Sequence, residues 1–137
     1  MALNMVDPGA DSYTLTGAIA MAYKAGPTPT AQSVTADFTL CDYTGHSSPG
    51  LTWNGPLQES DGSWTNLSSM SLFEGSGTTT TNNVLGVLIV FGNDTTALAA
   101  AHQLDTPIGI TQPGDGFGFV VELNAGPSGE DLGIVIS

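Results

Sequence analysis

Arginine is absent from this chain and lysine occurs once, at Lys24, against 13 acidic residues that leave a formal charge of −12. Displacing the counterions along a nucleic-acid backbone takes a set of Lys and Arg side chains, so direct binding to DNA or RNA is excluded. The same deficit removes the basic patch that holds a protein on an anionic membrane surface. Apolar runs stop far short of the roughly 20 residues that span a bilayer as a helix. Cysteine is limited to Cys41, so no intrachain disulfide can form and packing must hold the fold. Residues 1–11 carry no basic residue ahead of their apolar positions and no signal-peptide core, which predicts assembly in a cytoplasm rather than export. Charged residues of both signs make up only 10% of the chain and apolar ones 40%, so Thr, Ser, Asn, Gly and backbone must cover most of the surface. The scattered acidic charge either aids solubility alone or suits a positive patch on a partner.

What is plentiful is turn chemistry. The chain holds 18 Gly and 8 Pro, and turn signals recur every ten or so residues, among them Asp7-Pro8-Gly9, Ser48-Pro49-Gly50, Asp61-Gly62 and Pro113-Gly114-Asp115-Gly116. In 137 residues this spacing predicts an all-β fold, a single-domain antiparallel β-sandwich or barrel of jelly-roll or Ig-like kind over residues 11–137, preceded by an arm at 1–10. Tyr13, Leu15, Ile19, Met21 and Tyr23 fall on odd positions and predict one face of a strand. Leu51 with Trp53, and Met70 with Leu72, continue the pattern. Residues 84–91 are apolar throughout, as a strand buried on both faces at the centre of the core would be. Phe117, Phe119, Val121 and Leu123 alternate with smaller or polar residues, as do Leu132, Ile134 and Ile136. Residues 95–103 begin with a possible N-cap, Thr95, and run on through alanines of high helix propensity. Their place between two strand candidates with short connections favours a strand. Residues 1–10 and the polar stretch 75–81 are expected to be mobile. Leu3, Met5 and Val6 make the arm a candidate partner interface, or a frayed end that carries apolar residues by chance.

Chemistry is harder to find. A serine nucleophile needs a base beside it, only His46 and His102 are available as imidazole bases, and no Gly-x-Ser-x-Gly elbow occurs; Ser76 within Glu74-Gly75-Ser76-Gly77 reads as loop. Cys41 with His46 is a pair by nearness in sequence alone, and a small buried cysteine is the simpler reading. The two histidines have no zinc spacing. Asp61, Asp94 and Asp115 sit in turns where calcium would find carbonyls, yet Asp is favoured in such turns for its own backbone hydrogen bonds. Gly114-Asp115-Gly116 places an acid where a phosphate would be repelled. The expectation is therefore no catalytic residue, no metal and no cofactor. Trp53 and Trp64 flank the turn 54–61 and either stack on a sugar or pack across strands and into the core.

The order of short motifs resembles a family of small proteins encoded among the structural genes of tailed phages. The motifs are Gly26-Pro27-Thr28-Pro29-Thr30, Ala36-Asp37-Phe38-Thr39, Asp42-Tyr43-Thr44-Gly45, Leu51-Thr52-Trp53 with Pro56, Asp61-Gly62, Asn83-Val84-Leu85-Gly86, Asp105-Thr106-Pro107 and Pro113-Gly114-Asp115. The resemblance covers about residues 15–123. Two places depart from it: relatives tend to have Tyr after the glycine equivalent to Gly86, where this chain has Val87, and an acidic-basic pair ahead of the aspartate, where it has His102-Gln103-Leu104-Asp105. The resemblance implies a non-enzymatic virion component and brings no catalytic residue with it. A compact acidic β domain best suits a capsid decoration, or cement, protein on the outer surface of the head, with the major capsid protein and copies of itself as partners. The alternatives are a tail-associated or host-surface module binding a glycan or receptor, and a carboxylate-dependent hydrolase.

Overall fold

The computed structural model describes residues 18–90, 96, 98–127 and 133–136. Its strands are β1 (Ile19–Ala25), β2 (Thr39–Leu40), β3 (Leu57–Gln58), β4 (Trp64–Leu67), β5 (Ser71–Glu74), β6 (Asn82–Val90), β7 (Ala100–Ile110), β8 (Gly116–Phe119), β9 (Val121–Ala125) and β10 (Gly133–Ile136). One 3-10 turn, Thr35–Asp37, is the only helical element among the described residues. Both four-stranded sheets are antiparallel throughout, so the chain has the all-β architecture of the sandwich and barrel class that the turn spacing predicts. The expected arm, with Leu3, Met5 and Val6, lies outside the described residues, as do Tyr13, Leu15, Phe91 and Leu132. Contacts gather the chain into two compact units.

The unit formed by 18–50 and 72–118 is built on the sheet β2-β1-β6-β7. Strand β6 lies between β1 (Met21↔Leu88, Tyr23↔Gly86) and β7 (Leu88↔Ala101, Ile89↔Ala100). Val84 and the run 87–90 are buried on both faces, as the unbroken apolar sequence predicts. On one face Met21, Tyr23, Phe38, Leu88 and Val90 form a cluster flanked by Ile19, Leu40, Leu85, Leu98 and Ala101. On the other, Ala20 and Ala22 pair with Ile89 and Val87. Residues 100–103 belong to β7, so ladder pairing overrides the helix propensity of the alanines. The stretch 75–81, expected to be mobile, is instead fastened by backbone: the Ser76 amide donates to Thr44 O (2.9 Å), the Gly75 amide to Asp115 O (2.8 Å), and Thr44 and Thr80 exchange bonds of 3.0 and 2.9 Å. A segment without apolar side chains can still be held by its own amides.

Strand β5 pairs with β8. Here the expected face is wrong by one position: Ser71 and Phe73 are buried, while Met70 and Leu72 are 74% and 51% exposed. Phe73 sets the phase because its ring packs on Phe117 (centroids 5.6 Å) and His46 (6.3 Å).

The unit holding 51–71 and 119–136 carries the sheet β10-β9-β4-β3. The register Ile134↔Leu123↔Asn66 and Ile136↔Val121 puts Trp64, Asn66, Val121, Leu123, Ala125 and Ile136 on one face, which is largely buried. The opposite face carries Leu57, Thr65, Leu67, Glu122, Asn124 and Val135. The alternation read from Phe117 to Leu123 holds in burial, with Phe119, Val121 and Leu123 buried, but the strand is interrupted at Val120 and divided between β8 and β9, which belong to different sheets.

Candidate functional site

Trp53 forms an isolated antiparallel bridge with Ser68, through Asn54 N to Leu67 O (2.9 Å) and Ser69 N to Thr52 O (2.7 Å). That is the non-hydrogen-bonded kind of pair, in which the facing side chains stand closest. Trp53, Ser68, Asn66 and Trp64 therefore share one face, and both tryptophans are half-buried on it. The Trp64 Nε1–H donates to Pro127 O at 3.4 Å. Asn66 is 1% exposed, and its Oδ1 accepts from the Gly55 amide (3.0 Å), which fixes the orientation of the carboxamide. Ser68 Oγ accepts from the Val121 amide (2.9 Å). Among the described residues the buried Trp53 Nε1 and Asn66 Nδ2 have no hydrogen-bond partner. Sequence reasoning missed Asn66 and Ser68, because Leu67 between them is the residue that alternation would send to the core. Their signal was chemical: short polar side chains beside the turn 54–56 satisfy loop amides that hydrophobic residues would leave unpaired.

The turn carboxylates are occupied by their own turns. Asp61 Oδ1 accepts from the amide and hydroxyl of Ser63 (2.9 and 2.5 Å), and Asp115 Oδ2 from the amide and hydroxyl of Thr111 (both 3.0 Å). Those bonds hold both carboxyls below the usual aspartate range. Asp94 lies outside the described residues. Among the described residues no three His, Cys, Asp or Glu side chains converge as metal ligands would. The one cation is likewise engaged: Lys24 Nζ lies 2.6 Å from Asp42 Oδ1, which also accepts from Asn82 Nδ2 (2.9 Å), while Asn82 Oδ1 accepts from the Asp42 amide (2.7 Å). The Lys24 bond is the main reason the Asp42 carboxyl titrates low. Lys24 thus ties β1 to the loop after β2, and Asp42 in turn ties that loop to Asn82 at the start of β6.

Cys41 and His46 belong to the core surroundings. Burial pushes the Cys41 thiol up to about 11, Lys24 and Asp42 acting in opposite directions beside it. A thiol so placed is almost wholly protonated at neutral pH. In native protein Cys41 should react with a thiol-directed reagent only as fast as the chain unfolds; labelling at the rate of a free thiol peptide would contradict its placement. His46 packs edge-on to Tyr43 (4.9 Å) and stacks near Phe73, with Nδ1 buried and without a hydrogen-bond partner among the described residues. Burial lowers its pKa, with Asp42 partly opposing. Its folded value lies below the unfolded one of about 6.5, so its contribution to stability is full above that pH and is lost as pH falls toward the folded value, while the unfolded chain alone takes up the proton. Between about pH 7.5 and 5.5 the melting temperature should fall less in His46→Phe than in the parent. Equal slopes would show that His46 is not the group responsible.

An open groove of about 330 Å³ in the unit of 18–50 and 72–118 is lined by Pro29, Thr30, Ser33 and residues 98–101, and among the described residues no ionisable side chain lines it. The described residues therefore gather packing groups and turn caps, and one sheet face among them bears the exposed apolar side chains Leu57, Leu67 and Val135. No family model, curated protein or solved structure matches the chain.

Proposed function

We propose that this chain is a non-enzymatic structural protein of a phage particle, a decoration protein that binds the outside of the head. The observation that carries the reading is one face of β10-β9-β4-β3, where Leu57 is 63%, Leu67 41% and Val135 51% exposed, Leu67 and Val135 standing on either side of Glu122. Several large apolar side chains together on one rigid sheet face mark an interaction surface, whereas scattered ones do not. The low charge content supports the same reading, since contacts made by this protein must come from apolar, hydroxyl and backbone groups rather than from arrays of ion pairs. The motif order that resembles tailed-phage structural proteins supplies the kind of assembly. Purified protein mixed with heads lacking it should co-sediment with them and leave isolated tails undecorated; sedimentation with tails alone would overturn the head assignment in favour of the tail-associated alternative.

A further inference from the structure

The outer sheet face has a pattern beyond exposure. The registers Val135↔Glu122 and Glu122↔Leu67 place those three side chains in one row across β10, β9 and β4. Adjacent strands lie about 4.8 Å apart, so a carboxylate stands midway between two apolar groups separated by about 10 Å. The neighbouring row, Asn124↔Thr65↔Leu57, adds uncharged hydrogen-bonding groups and a third exposed apolar side chain. β9 is paired on both edges, so Glu122 rises from the fixed middle of the sheet.

We infer that this face docks a different protein, one that presents a Lys or Arg flanked by apolar side chains, and not a second copy of this chain. Charge complementarity decides between the two occupants. Glu122 has no Lys or Arg of this chain to pair with, because Lys24 is the only one and lies 2.6 Å from Asp42. Two copies apposed through the face about a twofold axis would bring Glu122 toward Glu122 between chains of charge −12 each. A partner's Lys or Arg resolves this: its charged head meets Glu122 while its methylene stem lies along Leu67 or Val135. The apolar flanks supply area and the ion pair fixes register, as charged groups at interfaces do.

The inference rests on the reading of the chain as a binding structural protein, and the two fail separately. The probe is N-acetyl-Leu-Arg-Val-amide, titrated at millimolar concentration into isotope-labelled full chain and followed by amide and methyl chemical shifts. Shifts should concentrate on Leu57, Thr65, Leu67, Glu122 and Val135, and N-acetyl-Leu-Glu-Val-amide should produce none there. Glu122→Gln, with an otherwise unchanged spectrum, should weaken the arginine peptide about threefold, the size of an exposed ion pair. No shifts on this face, equal response to the glutamate peptide, or a concentration-dependent dimer whose interface maps to these residues would overturn the inference. Head binding without the peptide effect removes the docking face and leaves the virion reading standing, and the reverse result removes the virion reading alone.

Discussion

Replacing Ile89 by Asp should leave no soluble folded protein. Ile89 is 1% exposed on the central strand β6, paired to Ala20 on one side and Ala100 on the other, so the new carboxylate has no route to water. Lys24, the only cation, is held at Asp42, so no ion pair can compensate. Burying an unpaired polar group costs several kcal/mol, and a buried charge more, against a total stability of about 5–15 kcal/mol for a domain. Ile89→Val, which removes one methylene from the same site, should fold and cost only about 0.5–1.5 kcal/mol. Soluble expression and a cooperative thermal transition read both variants. A soluble, cooperatively melting Ile89→Asp protein would place the core elsewhere.

Gly86→Ala should destabilise the fold by about 1–3 kcal/mol, the usual cost of overpacking a filled core. The position has the closest surroundings in the sheet: a Cβ there would meet the Tyr23 ring at 2.5 Å from one neighbouring strand and the His102 carbonyl oxygen from the other. Tyr23 is itself 1% exposed and packed on Phe38 at 4.8 Å, so its ring cannot swing away freely. The carbonyl is backbone of β7 and can yield only if the ladder shifts, close to the irregularity in register between Val84 and Gly86. Urea midpoints measure the loss directly, with an unchanged slope showing that the unfolding transition has kept its size. A midpoint within error of the parent would mean that the strands relax without cost. Val87 is buried on the face opposite Tyr23, paired with Ala22, which suits a β-branched side chain.

The parts of the fold that were legible in the sequence were those where one physical signal dominated. Residues 84–91 read as a doubly buried strand because no polar residue interrupts them, and β6 occupies 82–90. The alanine run 99–101 carried two opposing signals, and the ladder with β6 decided it. Where the reading failed, side-chain pattern was asked to report on backbone. Met70 and Leu72 had the right spacing for a buried face, but Phe73 outweighs them once Phe117 and His46 lie beside it. The stretch 75–81 has nothing apolar to anchor it, and its anchors are amides meeting Thr44 and Asp115, which no periodicity reveals. The tryptophans were singled out, and the structure puts Trp53 and Trp64 on one face; Asn66, the buried polar residue between them, was invisible because its role is to accept the amide of Gly55 from a turn whose position only the fold defines. The row Val135, Glu122 and Leu67 joins three strands, two of them more than fifty residues apart in the chain, so register rather than sequence spacing creates it.

The most direct test of the virion reading is to purify the particle, separate heads from tails, and locate this chain in the head by high-resolution imaging together with its copy number relative to the shell protein. The account predicts density for the chain on the outer surface of the head, repeated with the lattice, with the face bearing Leu57, Leu67, Glu122 and Val135 turned toward the shell. Absence of the chain from heads, or its confinement to a few copies on the tail, would contradict it.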